Sequence, residues 1–285
     1  MAFLNEILDN REIAIIIWLG ILFIWAIFQK SVRKAFVAVF KSLTQKAIFI
    51  SMVLMLFYIG ALIYCLYRIN LWDISNLSDT VIWFLGVAFV MFMNINNAKK
   101  ENYFRKVVWD NIKLVVFIEF VTNLYVLDLW AEMILVPIMA LIGGMMGVAS
   151  TKPEYSRVES FLEKVVGLFG IGFIVYTFYN VFVDFSGFAS LENLRAFLLP
   201  LILTIAFLPF IYILALYVVY EMIFMRLSHL IKDSSLARYA KWKTIFAFHL
   251  NLQALNKWLK KIVLRNFENR DDVKREIIKL KMGGA

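Results

Sequence analysis

The chain has 285 residues, 62% of them hydrophobic, 16% aromatic and 18% charged, with a formal net charge of +9. Its mean hydropathy is +0.76. Soluble domains hold about 45–50% apolar residues, so the composition excludes an ordinary soluble protein, a disordered chain and a disulfide scaffold, and it predicts an all-α polytopic integral membrane helical bundle.

The opening MAFLNEILDNRE carries three acids and one arginine, the reverse of the basic start of a signal peptide, so the first apolar run is expected to stay as a span. Span one covers 13–28. Span two, 47–67, has 21 residues, roughly 31 Å at 1.5 Å per residue, which matches a bilayer core. It contains the single cysteine, Cys65, so an internal disulfide and a cysteine metal cluster are both excluded. Span three, 80–95, is shorter, about 24 Å by the same rise, and Ser78 or Asp79 is expected to cap its first turn.

The stretch 114–149 is 36 residues, too long for one crossing, and its acids put a turn near Leu127 to Trp130. That gives a short span four, 114–127, which either crosses or re-enters, and a span five, 133–149. Span six is 165–183. Span seven, 196–220, contains Pro200 and Pro209, and Pro209 is expected to kink it by removing a backbone donor.

Basic residues concentrate on the cytoplasmic side of membrane proteins. With the N-terminus outside and the C-terminus inside, seven spans put 27 of the 30 lysines and arginines in the cytoplasm and leave only Arg11, Arg68 and Arg195 outside. Nine of the 21 acids fall outside, eleven inside and one, Glu119, within a span. The +9 therefore separates into +16 inside, −6 outside and −1 in the membrane. A bacterial inner membrane, with its anionic inner leaflet, suits this arrangement.

Glu119 is the one ionisable residue well inside an apolar run, and a carboxyl at bilayer depth normally faces a bundle interior, a partner or water. Thr122 and Asn123 follow at i+3 and i+4, on the same helix face. The three are read as a pore or ion path, with interhelical bonding as the structural alternative. Asp128 and Glu132 form an i,i+4 acidic pair at the outer interface, read as an outer vestibule that concentrates cations or, alternatively, as solvated loop acids. Gly143, Gly144 and Gly147 give a GxxxG-type face for helix packing.

Residues 221–285 are expected to form a basic cytosolic helical domain. Its segment from Leu236 to Phe267 reads as one basic amphipathic helix, with Lys241, Lys243, Lys257, Lys260, Lys261 and Arg265 on the cationic side. Three roles fit this helix: lying on the anionic inner leaflet, capping the spans from below, or pairing between subunits. Nucleic acid is not expected. The only histidines, His229 and His249, form no HExxH pair, and neither a Walker loop nor GxGxxG occurs, so no catalytic site, metal site or cofactor is expected.

The run LWDISNLSDTVIWFL and the basic helix after it resemble parts of uncharacterised bacterial multi-pass membrane proteins, some of them at phage-defence loci. The likeness covers about half the chain, contains no chemical motif and transfers no site residue. It implies a role in envelope stress or defence. Together these readings predict an oligomeric channel or permeability-altering protein of the bacterial inner membrane. The alternatives are a non-conducting scaffold or sensor that recruits a cytosolic partner through the tail, and a secondary transporter, for which a repeat of two related halves is expected.

Overall fold

Helix-forming apolar runs, some with capped starts, account for the architecture. The computed structural model describes residues 9–99, 102–112, 125–188, 190–262 and 267–282, and every regular element among them is helical. Six of the described helices are long and apolar enough to cross a membrane: Asn10–Phe28, Lys46–Arg68, Ile74–Met93, Leu129–Ala149, Pro153–Val183 and Asn193–Leu230. Most of the expected span four falls in 113–124, outside the described residues. The chain divides into two units, one of Met1–Trp83 with Asn111–Leu203 and the other of Phe84–Asp110 with Thr204–Ala285.

In unit one, α1 (Asn10–Phe28) starts at a reciprocal cap: the Asp9 carboxylate accepts from the Glu12 amide at 2.7 Å, and the Asp9 amide donates to the Glu12 carboxylate at 3.0 Å. Next come α2 (Lys30–Leu43), amphipathic and basic, and α3 (Lys46–Arg68), which matches expected span two with one residue more at each end. Phe23 of α1 meets Phe36 of α2 edge to face at 5.9 Å. A second reciprocal cap, between Asp73 and Asn76, opens a 3₁₀ turn that leads into α4 (Leu77–Trp83). This cap starts span three at Ile74, earlier than the expected residue 80. In unit two the same span continues as a π-helical stretch, Phe84–Ala88, and then α5 (Phe89–Met93).

Unit one also holds α7 (Leu129–Ala149), α8 (Ser156–Val183) and the short α9 (Phe185–Phe188). Helix α8 starts well before the expected residue 165, because Pro153 opens a 3₁₀ lead and no helix breaker follows it. The packing in this unit is α1 against α7 and α7 against α8.

The 40-residue α10 (Leu191–Leu230) continues as one helix through Pro200 and Pro209. It also runs past the expected end at 220, because Ile223 and Leu227 continue the fully buried stripe begun by Phe207, Ile211, Ala215 and Val219. Unit two adds α6 (Tyr103–Ile112), most of which lies in it, and three tail helices, α11 (Ser234–Phe248), α12 (Leu252–Ile262) and α13 (Arg270–Met282).

The expected single amphipathic helix from Leu236 to Phe267 is therefore two helices, α11 and α12. The chain turns at His249, whose φ is 44°. Tyr220 and Tyr212 of α10 donate their hydroxyls to the carbonyls of His249 and Leu250, taking acceptors that a continuing helix would have used. Asn251 then caps α12 by accepting from the Ala254 amide at 3.0 Å. Trp258, fully buried, ties the layer together. Its indole donates to the Thr244 hydroxyl at 3.1 Å, and its ring lies 5.9 Å from Phe248 and 6.1 Å from Phe267.

Candidate functional site

The polar centre of unit one lies where α1, α4 and α7 begin. Arg11, in the first turn of α1, reaches Glu132, in the first turn of α7. Its Nε lies 3.3 and 3.4 Å from the two carboxylate oxygens and its Nη2 3.3 Å from Oε1. Glu132 also accepts from the Leu127 amide at 3.1 Å. The Glu132 side chain is 1% exposed and that of Arg11 23%. The guanidinium sits 5.2 Å from the centre of the Phe173 ring on α8, a cation–π contact that favours the charge from a third helix.

Two further bonds hold α1 to α7 and to the residues just before it. The Asn10 amide donates to the Leu127 carbonyl at 3.1 Å, and the Trp18 indole donates to the Met133 carbonyl at 2.9 Å. The second has a specific cause. Pro137 lies inside α7 and lacks the N–H that would bond the carbonyl four residues earlier, which is that of Met133. Trp18 supplies the missing donor. On the α4 side, the Ser78 hydroxyl donates to Glu12, and Asp79 lies within electrostatic reach of Glu12 and Asp9. Just before this span Asp73 is exposed, and bonds from the hydroxyl and amide of Ser75 hold its carboxyl below the usual carboxylate range.

Below the ion pair, a cavity of about 390 Å³ opens between α1, α7 and α8. Arg11 and Glu132 form its charged end, and Ile15, Val136, Met139 and Phe169 contribute apolar wall.

Glu119, Thr122 and Asn123 lie outside the described residues. Asp128 occupies the N-cap position of α7, exposed and without a side-chain capping bond, while Glu132 faces Arg11 and not an open acidic mouth. The two acids are thus separated by environment despite their i,i+4 spacing. Gly143, Gly144 and Gly147 have open space where a side chain would stand, with nothing within 4 Å, so they bring no described helix into close approach. Lys241 is half-buried, 6.0 Å from the Phe224 ring centre, and Lys243 is half-buried too. Lys261 pairs with Glu276 at 3.2 Å, Lys257 and Lys260 are exposed, and Arg265 lies outside the described residues.

Arg11, Trp18, Pro137 and Phe173 were not singled out from the sequence. An orphaned carbonyl at Met133 follows from Pro137 by counting back four residues, but its donor stands 115 residues away. No family model, curated protein or solved structure matches the chain.

Proposed function

We propose that this protein is an oligomeric channel or permeability-altering membrane protein, with the Arg11–Glu132 pair as a charged gate at one end of the cavity between α1, α7 and α8. The observation that carries this reading is the pair itself, a buried Glu132 carboxylate held by a half-buried Arg11. Removing two ions from water costs several kcal/mol each, and an apolar pair of similar volume holds helices together as well or better. A guanidinium and a carboxylate kept at the mouth of an apolar cavity therefore support an electrostatic role. Four of the candidate spans, in α1, α3, α7 and α8, have few fully buried residues among the described ones, which supports association with lipid and with further copies.

The seven-span topology is part of this proposal. The Arg11–Glu132 and Glu12–Ser78 contacts gather the starts of α1, α4 and α7 at one end. A chain that crosses from Ile74 to Met93 has to return to that end before Leu129. This supports an odd number of crossings between Met93 and Leu129 and an acidic end outside.

The test is a planar-bilayer recording of the reconstituted full chain. Discrete currents are expected, and Arg11→Gln, which leaves Glu132 negative, is expected to shift selectivity toward cations, whereas Glu132→Gln shifts it the other way. Current no greater than that of an empty bilayer, or selectivity unmoved by both substitutions, overturns the proposal. In the absence of current, a soluble protein that binds the full chain stoichiometrically would favour the scaffold reading.

A further inference from the structure

Unit two contains a second cavity, about 300 Å³, where α6 and α12 begin. Its wall includes two cations, Lys99 and Arg105, and the neutral donors Asn102, Tyr103, Asn251 and Gln253. Tyr212 forms another part of the wall, fixed by a hydroxyl bond to the Leu250 carbonyl and by an edge contact with Phe104 at 5.3 Å. Asn102, at φ 60°, turns the chain sharply into α6, and Asn256 donates to the Lys99 carbonyl at 3.0 Å. These contacts position the two cations on backbone that is held in place.

The charge arrangement is one-sided. Lys99 Nζ contacts Asn96 Oδ1 at 2.8 Å and Met222 Sδ at 3.5 Å, and neither partner is anionic. Among the described residues no carboxylate forms an ion pair with Lys99 or Arg105. Burial pushes the Lys99 ammonium below its ordinary range, so an anion placed beside it would recover what desolvation cost. The first residues of α6 and of α12 also line the cleft, and early helical amides add donors to the field of the two cations.

We propose that this cleft binds a phosphate group, with Lys99 and Arg105 as its charged ligands and Asn102, Tyr103 and Gln253 as neutral donors. A carboxylate-sized anion satisfies fewer of these donors than a phosphate, which presents three or more acceptor oxygens. The group comes either from a free phosphate compound or from an anionic lipid headgroup, since the charge bias of the chain puts this basic unit on the cytoplasmic side. The proposal is independent of the gate in unit one and is tested without any measurement of current.

The full chain is purified in detergent and titrated with inorganic phosphate at constant ionic strength, chloride making up the balance, while its thermal midpoint is followed. A parallel arm compares phosphatidylcholine nanodiscs with and without phosphatidic acid. A saturable rise of the midpoint is expected in at least one arm. Arg105→Gln and Lys99→Gln should each weaken the response about tenfold or more, whereas Arg238→Gln, an exposed charge elsewhere on α11, should leave it within about twofold. Response to phosphate assigns a free compound, and response to phosphatidic acid alone assigns a lipid; both support the cleft. Absence of response in both arms, a response unchanged in the cleft variants, or an equal loss in Arg238→Gln overturns it. Should Lys99→Gln fail to fold, the exposed Arg105 decides the outcome alone, and Lys99→Arg should retain binding.

Discussion

The bond between Trp18 and Met133 gives the sharpest test of how unit one is assembled. Pro137 leaves the Met133 carbonyl without its helical donor, and the Trp18 indole fills the position at 2.9 Å. Trp18→Phe keeps an aromatic ring, deletes the donor and removes some packing area, a loss shared by both backgrounds of a double-mutant cycle. An unsatisfied buried acceptor costs about 1–3 kcal/mol, and hydrogen bonds between membrane helices measure about 0.6–2 kcal/mol. The expected loss is therefore about 1–2 kcal/mol, up to roughly a thirtyfold change in the folding equilibrium at about 1.4 kcal/mol per decade. Pro137→Ala restores an N–H at the position that bonds residue 133 within the helix. In that background Trp18→Phe should cost less, with a coupling of about 1 kcal/mol. The assay is reversible denaturation in mixed micelles, followed by far-ultraviolet circular dichroism, on the four members of the cycle. Costs that add to within about 0.3 kcal/mol would refute the reasoning and show that Trp18 acts through ring packing alone.

The turn between α11 and α12 predicts opposite effects for two substitutions. His249 has a φ of 44°, a region that favours glycine, so His249→Gly should stabilise unit two by about 1 kcal/mol, while Tyr220→Phe, which deletes the 2.6 Å bond to the His249 carbonyl, should cost about 1 kcal/mol. Both are read from denaturation midpoints of the full chain. Asp73 predicts a pH effect. Its folded carboxyl is held below the ordinary value of 3.8, first by the Ser75 hydroxyl and then by the Ser75 amide, so its contribution is fully present above that value and is lost as pH falls through the lowered folded one. Wild type should lose more stability than Asp73→Asn between pH 5 and pH 3, and parallel curves would rule this out.

Span positions were legible because an apolar run of membrane length has few alternatives, and α3 matches its expected bounds to within one residue at each end. Helix ends were less legible where the end is set by something other than apolarity. Asp73 and Asn76 start one span early through a reciprocal cap, and Ile223 and Leu227 carry α10 onward as fully buried residues of the same stripe. The break at His249 is not legible as a period in the sequence, since the apolar spacing continues across it. Two tyrosines on a different helix take the carbonyls there. The candidate site was legible by half. Glu132 stood out as an acid beside an apolar run, but its i,i+4 neighbour Asp128 suggested a shared acidic face, and only the packing of α1 on α7 brings Arg11 to it.

The same contacts sharpen the charge argument. On the proposed topology, three basic residues break the bias by standing outside, and each of them has a local partner in unit one. Arg11 pairs with Glu132, Arg68 donates to the Tyr64 hydroxyl at 3.2 Å, and Arg195 acts electrostatically on Asp73. An acid close to a cation cancels much of its field at a distance, as Glu132 does for Arg11, whereas the neutral Tyr64 hydroxyl orients Arg68 and leaves its charge in place. On the proposed topology the inside-positive bias rests on the remaining 27, and Arg11 is the exception whose charge is most directly offset.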